Sequence, residues 1–512
     1  MGINVGQVVR QWAIREPART ALVVFEPLRR EVSFAELDER ASRAAARLRG
    51  VGLGPGSRLA LAAGNGLPFV DAWFGALYAG CTVLPIPPMS AVPEIAHRLL
   101  HARCAAIVTD GAMHALGEEA RKGTGASLHL EASALADGPL DARGPLDVPA
   151  ETVAMVLYTS GTTGTAKGAT ITHASLATHT AALVHHVLRL SPDDVVMATL
   201  PLTHSYGLRM TLLAPFYAGA RSVLLDRFAA PRVLRVLGEE AVTWFPGVPT
   251  MFNALAHEPA AKASPHAALR WCMSAGAPLP DDVRLRAERT LGVPVRQGYG
   301  LTEATFTTVD LPSDPHGAGT VGRAVFGVEV RIVDEAGAEV PRGTAGEVTV
   351  RGQNVMAGYL DDPEATREAL RGGWLHTGDV GVLDADGRLT VVDRLKDLVL
   401  RGGFNVYPAE VEAVLVSHPA VRDAVVVGLP DPHYGEEVVA VVVLRDHASV
   451  DLAELDAFCR ARLSRTKVPR LYAEVAAMPI GPSGKVQRRV LRSAVHEGKL
   501  VLRHPPTSER AS

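Results

Sequence analysis

The stretch AMVLYTSGTTGTAKG, residues 154–168, sets the fold reading. Its first half is a short apolar run that reads as a buried strand, and its second half packs hydroxyls and glycines around one cation, Lys167. A phosphate loop of the Walker type needs glycine directly before its lysine and Ser or Thr directly after it. Here Thr165 and Ala166 intervene and Gly168 follows, so this loop is not of that type. A Ser/Thr/Gly turn still lets backbone N–H and side-chain O–H groups surround phosphate oxygens without obstruction. A plain flexible turn is the alternative. Downstream, THASLATHTAALVHHVLRL reads as a helix with Thr172 as its N-cap.

Outward from this point the same texture repeats. Toward the N-terminus, the helical pattern VPEIAHRLLHARC precedes the strand-like AAIVTD; toward the C-terminus, ARSVLLD and AVTWFPG continue the alternation. Such alternation argues for α/β layers with largely parallel sheets. Beyond Gly322 the runs GVEVRIVD, GEVTVRG and GRLTVVD are short β segments divided by Gly and Asp turns, which suggests a smaller β subdomain. After DRLKD, residues 393–397, helix, two strands and helix follow, the pattern of a compact α+β unit. The fold class is therefore α/β, with a large N-terminal domain of layered α/β subdomains plus a β subdomain and a small α+β C-terminal domain. Residues 1–395 form the first domain and 396–512 the second. A chain of 512 residues exceeds what one core usually supports.

An apolar fraction of 47% and a charged fraction of 21% fit a soluble globular protein, and a net charge of −3 gives no reason to expect nucleic-acid binding. The C-terminal region is locally basic, with Arg460, Arg462, Arg465, Lys467, Arg470, Lys485, Arg488, Arg489 and Arg492. A solvated helix face and an anion-binding surface both remain open. The four cysteines are scattered and form no zinc pattern. With no secretory signal and no apolar run long enough to span a bilayer, the expectation is a cytoplasmic protein without integral membrane contact.

Three further stretches carry candidate chemistry. In QGYGLTEA, residues 297–304, Tyr299 could offer its ring to a planar base and Glu303 could coordinate Mg²⁺, with a helix cap as the rival reading of Glu303. In WLHTGD and DRLKD, Asp379 and Arg394 suit ribose hydroxyls, a surface salt bridge being the alternative. In GPSGKV, residues 481–486, Lys485 stands on a tight turn that means little by itself.

Together and in this order, with PLTHSYGL (201–208), GVPTMFNAL (247–255), SAGAPL (274–279), VMAGYLDDPEAT (355–366), GGFNVYPAEVE (402–412) and GLPDPHYGEEVV (428–439), they resemble the adenylate-forming superfamily of acyl-CoA synthetases, luciferases and nonribosomal adenylation domains. The resemblance covers nearly the whole chain. It implies an ATP- and Mg²⁺-dependent acid–thiol ligase that works in two halves. A carboxylate first attacks the α-phosphate of ATP to give an acyl-adenylate and pyrophosphate; a thiol then takes the acyl group and releases AMP.

By that resemblance Thr159, Ser160, Gly161, Thr162, Thr163, Gly164 and Lys167 cradle the β- and γ-phosphates, Ala166 standing where a proline is frequent. Thr302 and Glu303 match the α-phosphate and Mg²⁺ ligands. Gly276, Ala277, Pro278, Gln297, Gly298, Tyr299 and Gly300 match the adenine slot, and Asp379 and Arg394 the ribose contacts. Lys485 matches the lysine that bridges the carboxylate and the α-phosphate. His204 matches a residue at the mouth of the acyl channel, with a structural histidine as rival. Lys396 matches a hinge about which the small domain moves, and Gly402 and Gly403 match the segment that meets the coenzyme A thiol.

The acid is a small-molecule carboxylic acid. Residues near 206–211, 245–251, 274–277 and 304–306 are mostly apolar or small, which favours a fatty or aromatic acid. Arg209 offers a cation for a second carboxylate, an arginine paired elsewhere being the commoner case. Coenzyme A is the expected acceptor, an acyl carrier protein the alternative, and a luciferase-like oxygenase a remote one.

Overall fold

A computed structural model describes residues 2–25, 28–159, 166–258, 267–314, 317, 319–402, 404–480 and 486–505. By contact density the chain divides into two compact units. The first holds residues 1–331, 349–377 and 387–389; the second holds 332–348, 378–386 and 390–512.

The first unit is built on two sheets. In the nine-stranded sheet the strands Thr20–Val24, Arg221–Leu224, Val195–Ala198, Trp244–Gly247, Trp271–Ala275 and Val295–Leu301 run parallel in that spatial order. Antiparallel strands close its edges, Arg30–Ser33 on one side and Thr305–Val309 with Arg323–Ala324 on the other. Its core follows from sequence period. Helix Ala230–Glu239 buries Val233, Leu234, Val236 and Leu237, the 3–4 spacing of one helix face, against Val23, Val223 and Phe245.

The seven-stranded sheet carries Arg58–Ala62, Thr82–Pro85, Ala106–Thr109, Leu128–Glu131 and Val153–Tyr158, joined by parallel pairs. Helix Val92–His101 covers it through Ile95 and Leu99. The sequence reading takes the glycine-rich loop directly into a helix, but a strand intervenes. Gly168–Thr172 folds back antiparallel on Val153–Tyr158. The β-branched Thr170, Ile171 and Thr172 favour that pleated surface. Only then does helix His173–Ala182 begin, with the Thr172 hydroxyl accepting from the Ser175 N–H as expected of an N-cap. It continues as a π-helix over Leu183–Leu188.

The β texture beyond Gly322 forms a four-stranded sheet of Val328–Val333, Gly346–Gly352, Leu375–Leu383 and Leu389–Arg394. Within the second unit, the long hairpin Val421–Asp431 and Gly435–Leu444 is apolar on both faces because both are covered. Val425, Val427, Val439 and Val441 pack with Leu471 and Leu491, while Val426, Val438, Ala440 and Val442 pack with Val411, Leu415 and Leu455. That explains why DAVVVGL and EEVVAVVVL read as continuous apolar runs instead of alternating. Among the described residues, no helix is long and apolar enough to cross a membrane.

Candidate active site

Thr302 and Glu303 sit in the turn between the antiparallel strands Val295–Leu301 and Thr305–Val309, so Glu303 is not a helix cap. The turn is unusually tight. Thr305 has φ of 42°, a left-handed conformation that a β-branched residue rarely adopts. Gly300 makes the approach possible, since a Cβ there would lie 1.7 Å from the Thr305 carbonyl oxygen. Buried Asn354 secures the turn by donating from Nδ2 to the carbonyls of Ala304 and Phe306, and the Met356 N–H donates to the Glu303 carbonyl at 2.7 Å.

The same segment then crosses to the glycine-rich hairpin. Gly358–Tyr359 pairs with Thr170 and Ala169, and the Leu360 N–H donates to the Gly168 carbonyl at 2.7 Å. Thr159 closes the base of the hairpin through its N–H to the Lys167 carbonyl at 2.9 Å. Tyr359 connects the two candidate sites directly. Its hydroxyl donates to Glu303 Oε1 at 3.0 Å, and Lys167 Nζ lies 5.2 Å from its ring centroid. Burial, then the Glu303 charge, pushes the Tyr359 hydroxyl far above its ordinary range, so it stays protonated and able to donate. Ser160, Gly161, Thr162, Thr163 and Gly164 lie outside the described residues.

On the adenine side, Gly276 turns the chain with φ of 89° after strand Trp271–Ala275, leaving Ala277 and Pro278 exposed and Tyr299 half-buried. Gly298 passes beneath the Phe306 ring, where a Cβ would meet a ring carbon at 2.8 Å. Gln297 is buried and engaged as scaffold. Its Oε1 accepts from the Leu279 N–H at 2.9 Å, and its Nε2 donates to the Thr320 carbonyl at 3.2 Å. His204 is exposed and caps helix Ser205–Leu208, its Nδ1 accepting from the Tyr206 N–H at 3.2 Å.

The four stretches proposed as acid-pocket walls do come together. The Tyr206 hydroxyl donates to the carbonyls of Gly247 and Met273, and its ring meets Phe306 edge-on at 5.1 Å. Arg209, two residues from Gly207 on the same helical stretch, is buried here.

In the second unit, Asp379 is buried on strand Leu375–Leu383 and ion-paired with Arg394 Nε at 3.0 Å. Lys396 falls in the short turn Leu395–Asp397. Gly402 has φ of 58° and donates its N–H to the Tyr434 carbonyl at 2.7 Å. Gly403 and Lys485 lie outside the described residues; the neighbours of the latter turn, Ile480 and Val486, pair as an antiparallel bridge. Several of the C-terminal cations have carboxylate partners. Lys467 pairs with Glu410, Arg488 with Glu412 and Arg492 with Glu436, which favours a paired surface over an open anion site for these three.

The sequence reading missed Tyr359 and the buried partner of Arg209, His179. Neither has a local signal: Tyr359 acquires its role from pairing with a hairpin far away in the chain, and His179 from packing.

Comparison with known proteins adds an independent line. The family described as AMP-binding enzyme matches residues 9–360, and its C-terminal domain matches 410–485. A feruloyl-CoA synthase of an Amycolatopsis species is 37% identical over 465 residues, 90% of this chain and 93% of that protein. A sulfoacetate–CoA ligase of Cupriavidus necator is 37% identical over 85% of this chain and 87% of that protein. Among solved structures, ATP-bound MatB from Rhodopseudomonas palustris superposes with a TM-score of 0.91 at 31% identity, over 96% of this chain and 99% of that one.

Proposed function

The chain belongs to the AMP-binding enzymes, the adenylate-forming superfamily, and from that membership we propose that it activates a carboxylic acid with ATP and transfers the acyl group to the thiol of coenzyme A. In the first half a carboxylate oxygen bonds to the α-phosphorus as the bond to pyrophosphate breaks. In the second the thiol sulfur bonds to the acyl carbon as AMP leaves. The observation that supports this reading is the Lys167–Tyr359–Glu303 connection, which brings the expected phosphate cation and the expected metal carboxylate to one place.

The residues fit Mg²⁺. Mg²⁺ is commonly held by one or two carboxylates together with substrate phosphates, and the Glu303 carboxylate, held by the Tyr359 hydroxyl, is of that kind. Bound there, Mg²⁺ supplies charge neutralisation for the polyphosphate. Glu303 would hold it, with the Tyr359 hydroxyl fixing the orientation of that carboxylate. Lys167 with residues 159–164 would take the departing pyrophosphate, and Thr302 would meet the α-phosphate. Gly276, Ala277, Pro278 and residues 297–300 flank the base, Gln297 by supporting the turn, and Asp379 with Arg394 contacts the ribose. We assign residues 1–395 to nucleotide and acid binding, 396–512 to a lid hinged at Lys396, and Gly402–Gly403 to coenzyme A. The four described cysteines are free and buried, in keeping with a reducing cytoplasm.

The assay is acid-dependent pyrophosphate release scored beside thioester formation. Release with thioester on coenzyme A supports the reading; release with transfer only to a carrier-protein phosphopantetheine replaces the acceptor; no release with any acid sinks it. Tyr359→Phe is expected to raise the Mg²⁺ concentration for half-maximal pyrophosphate release by about ten- to a hundredfold, the scale of a hydrogen bond to a charged group. An unchanged Mg²⁺ titration would remove Tyr359 from the metal site.

A further inference from the structure

Arg209 is an interior cation without a counter-charge. It is 1% exposed, and among the described residues it forms no ion pair. Nη1 donates to His179 Nδ1 at 2.9 Å, and the Thr305 hydroxyl lies 3.1 Å from the same nitrogen. A guanidinium only donates, so Nδ1 accepts and the ring proton sits on Nε2. Burial first, and the Arg209 charge second, hold His179 well below its ordinary range, which keeps the imidazole neutral. Burial also pulls Arg209 down, to about 9, which leaves it charged at neutral pH.

Among the described residues, Arg209 Nε and Nη2 are buried without hydrogen-bond partners, as are the hydroxyls of Thr180, Ser205 and Ser274. A buried charge left unpaired is strongly unfavourable, so a protein keeps one only where something supplies the missing partner. A scaffolding arginine has a counter-charge as well as carbonyls, as buried Arg401 has Glu437 beside the carbonyls of Arg465 and Thr466. Arg209 instead lies among the acid-pocket walls, on the helical stretch of Tyr206 and linked through His179 to Thr305, two residues after Glu303.

We propose that Arg209, seated by His179, receives a second anionic group of the substrate, a carboxylate or a sulfonate, so that the acid activated is doubly anionic instead of a plain fatty acid. This rests on the ligase reading above and names its substrate class.

The test is a panel of short dicarboxylic acids, sulfonated carboxylic acids and monocarboxylic acids of equal chain length, each scored by pyrophosphate release with the wild-type enzyme. A doubly anionic acid is expected to exceed its monocarboxylic counterpart in kcat/KM by about a hundredfold or more, the scale of one buried charge contact. The dicarboxylic and sulfonated arms decide which group is read. In Arg209→Met that ratio is expected to collapse by a similar factor, with Arg209→Lys intermediate. Wild-type preference for a monocarboxylic acid, or equal loss on both classes in Arg209→Met, overturns the proposal and leaves the ligase reading standing. Failure of every acid to release pyrophosphate overturns both. The wild-type panel decides the matter alone if the variants do not fold.

Discussion

Replacing Lys485 with alanine is expected to lower acid-dependent pyrophosphate release by about 10²- to 10³-fold, while thioester formation from supplied acyl-adenylate continues. The first half-reaction drives a carboxylate against a polyphosphate, and catalysis must come from positioning and charge neutralisation. A cation that spans the carboxylate and the α-phosphate acts where repulsion peaks. The second half starts from a mixed acyl–phosphate anhydride whose carbonyl is already activated, so it does not need that cation. Measuring both halves separately checks this division; equal loss in the two would contradict it.

Gly300→Ala is expected to lower kcat/KM for pyrophosphate release by about a hundredfold or more, because an ångström of displacement in a positioned group can cost that much. The new methyl meets the Thr305 backbone carbonyl oxygen at 1.7 Å, with no flexible side chain to yield. The strand pair must open, and Thr302 and Glu303 ride on the turn that moves. Overpacking of this kind also costs about 1–3 kcal/mol of stability. Gly50→Ala, at the end of helix Phe34–Gly50 with open space around it, is the matched control and is expected to leave both kinetics and melting temperature nearly unchanged. Wild-type kinetics in Gly300→Ala would show that the turn does not position the reacting groups.

Much of this was legible in the chain itself. Thr172 caps its helix, the strand runs AAIVTD and AVTWFPG form strands, and the ordered motifs carried the superfamily. What was not legible depends on partners distant in sequence. The segment GATIT carries a β-branched signal, yet reading it as a strand requires knowing that Val153–Tyr158 returns beside it. Whether Arg209 is paired cannot be read from its neighbours, because an acid partner could come from anywhere in the chain. Gln297 lies inside a nucleotide motif and still spends its side chain on Leu279 and Thr320.

The crossing of residues 354–360 over the hairpin has a consequence for biogenesis. The Thr170 hydroxyl donates to the Gly358 carbonyl across 188 positions of chain. A ribosome delivers Lys167 and strand Gly168–Thr172 long before the strap that fastens them to the turn of Glu303, so a nascent chain halted in between lacks the Tyr359 link between the two. Nucleotide affinity should thus be acquired late in synthesis, in one step, when the strap emerges.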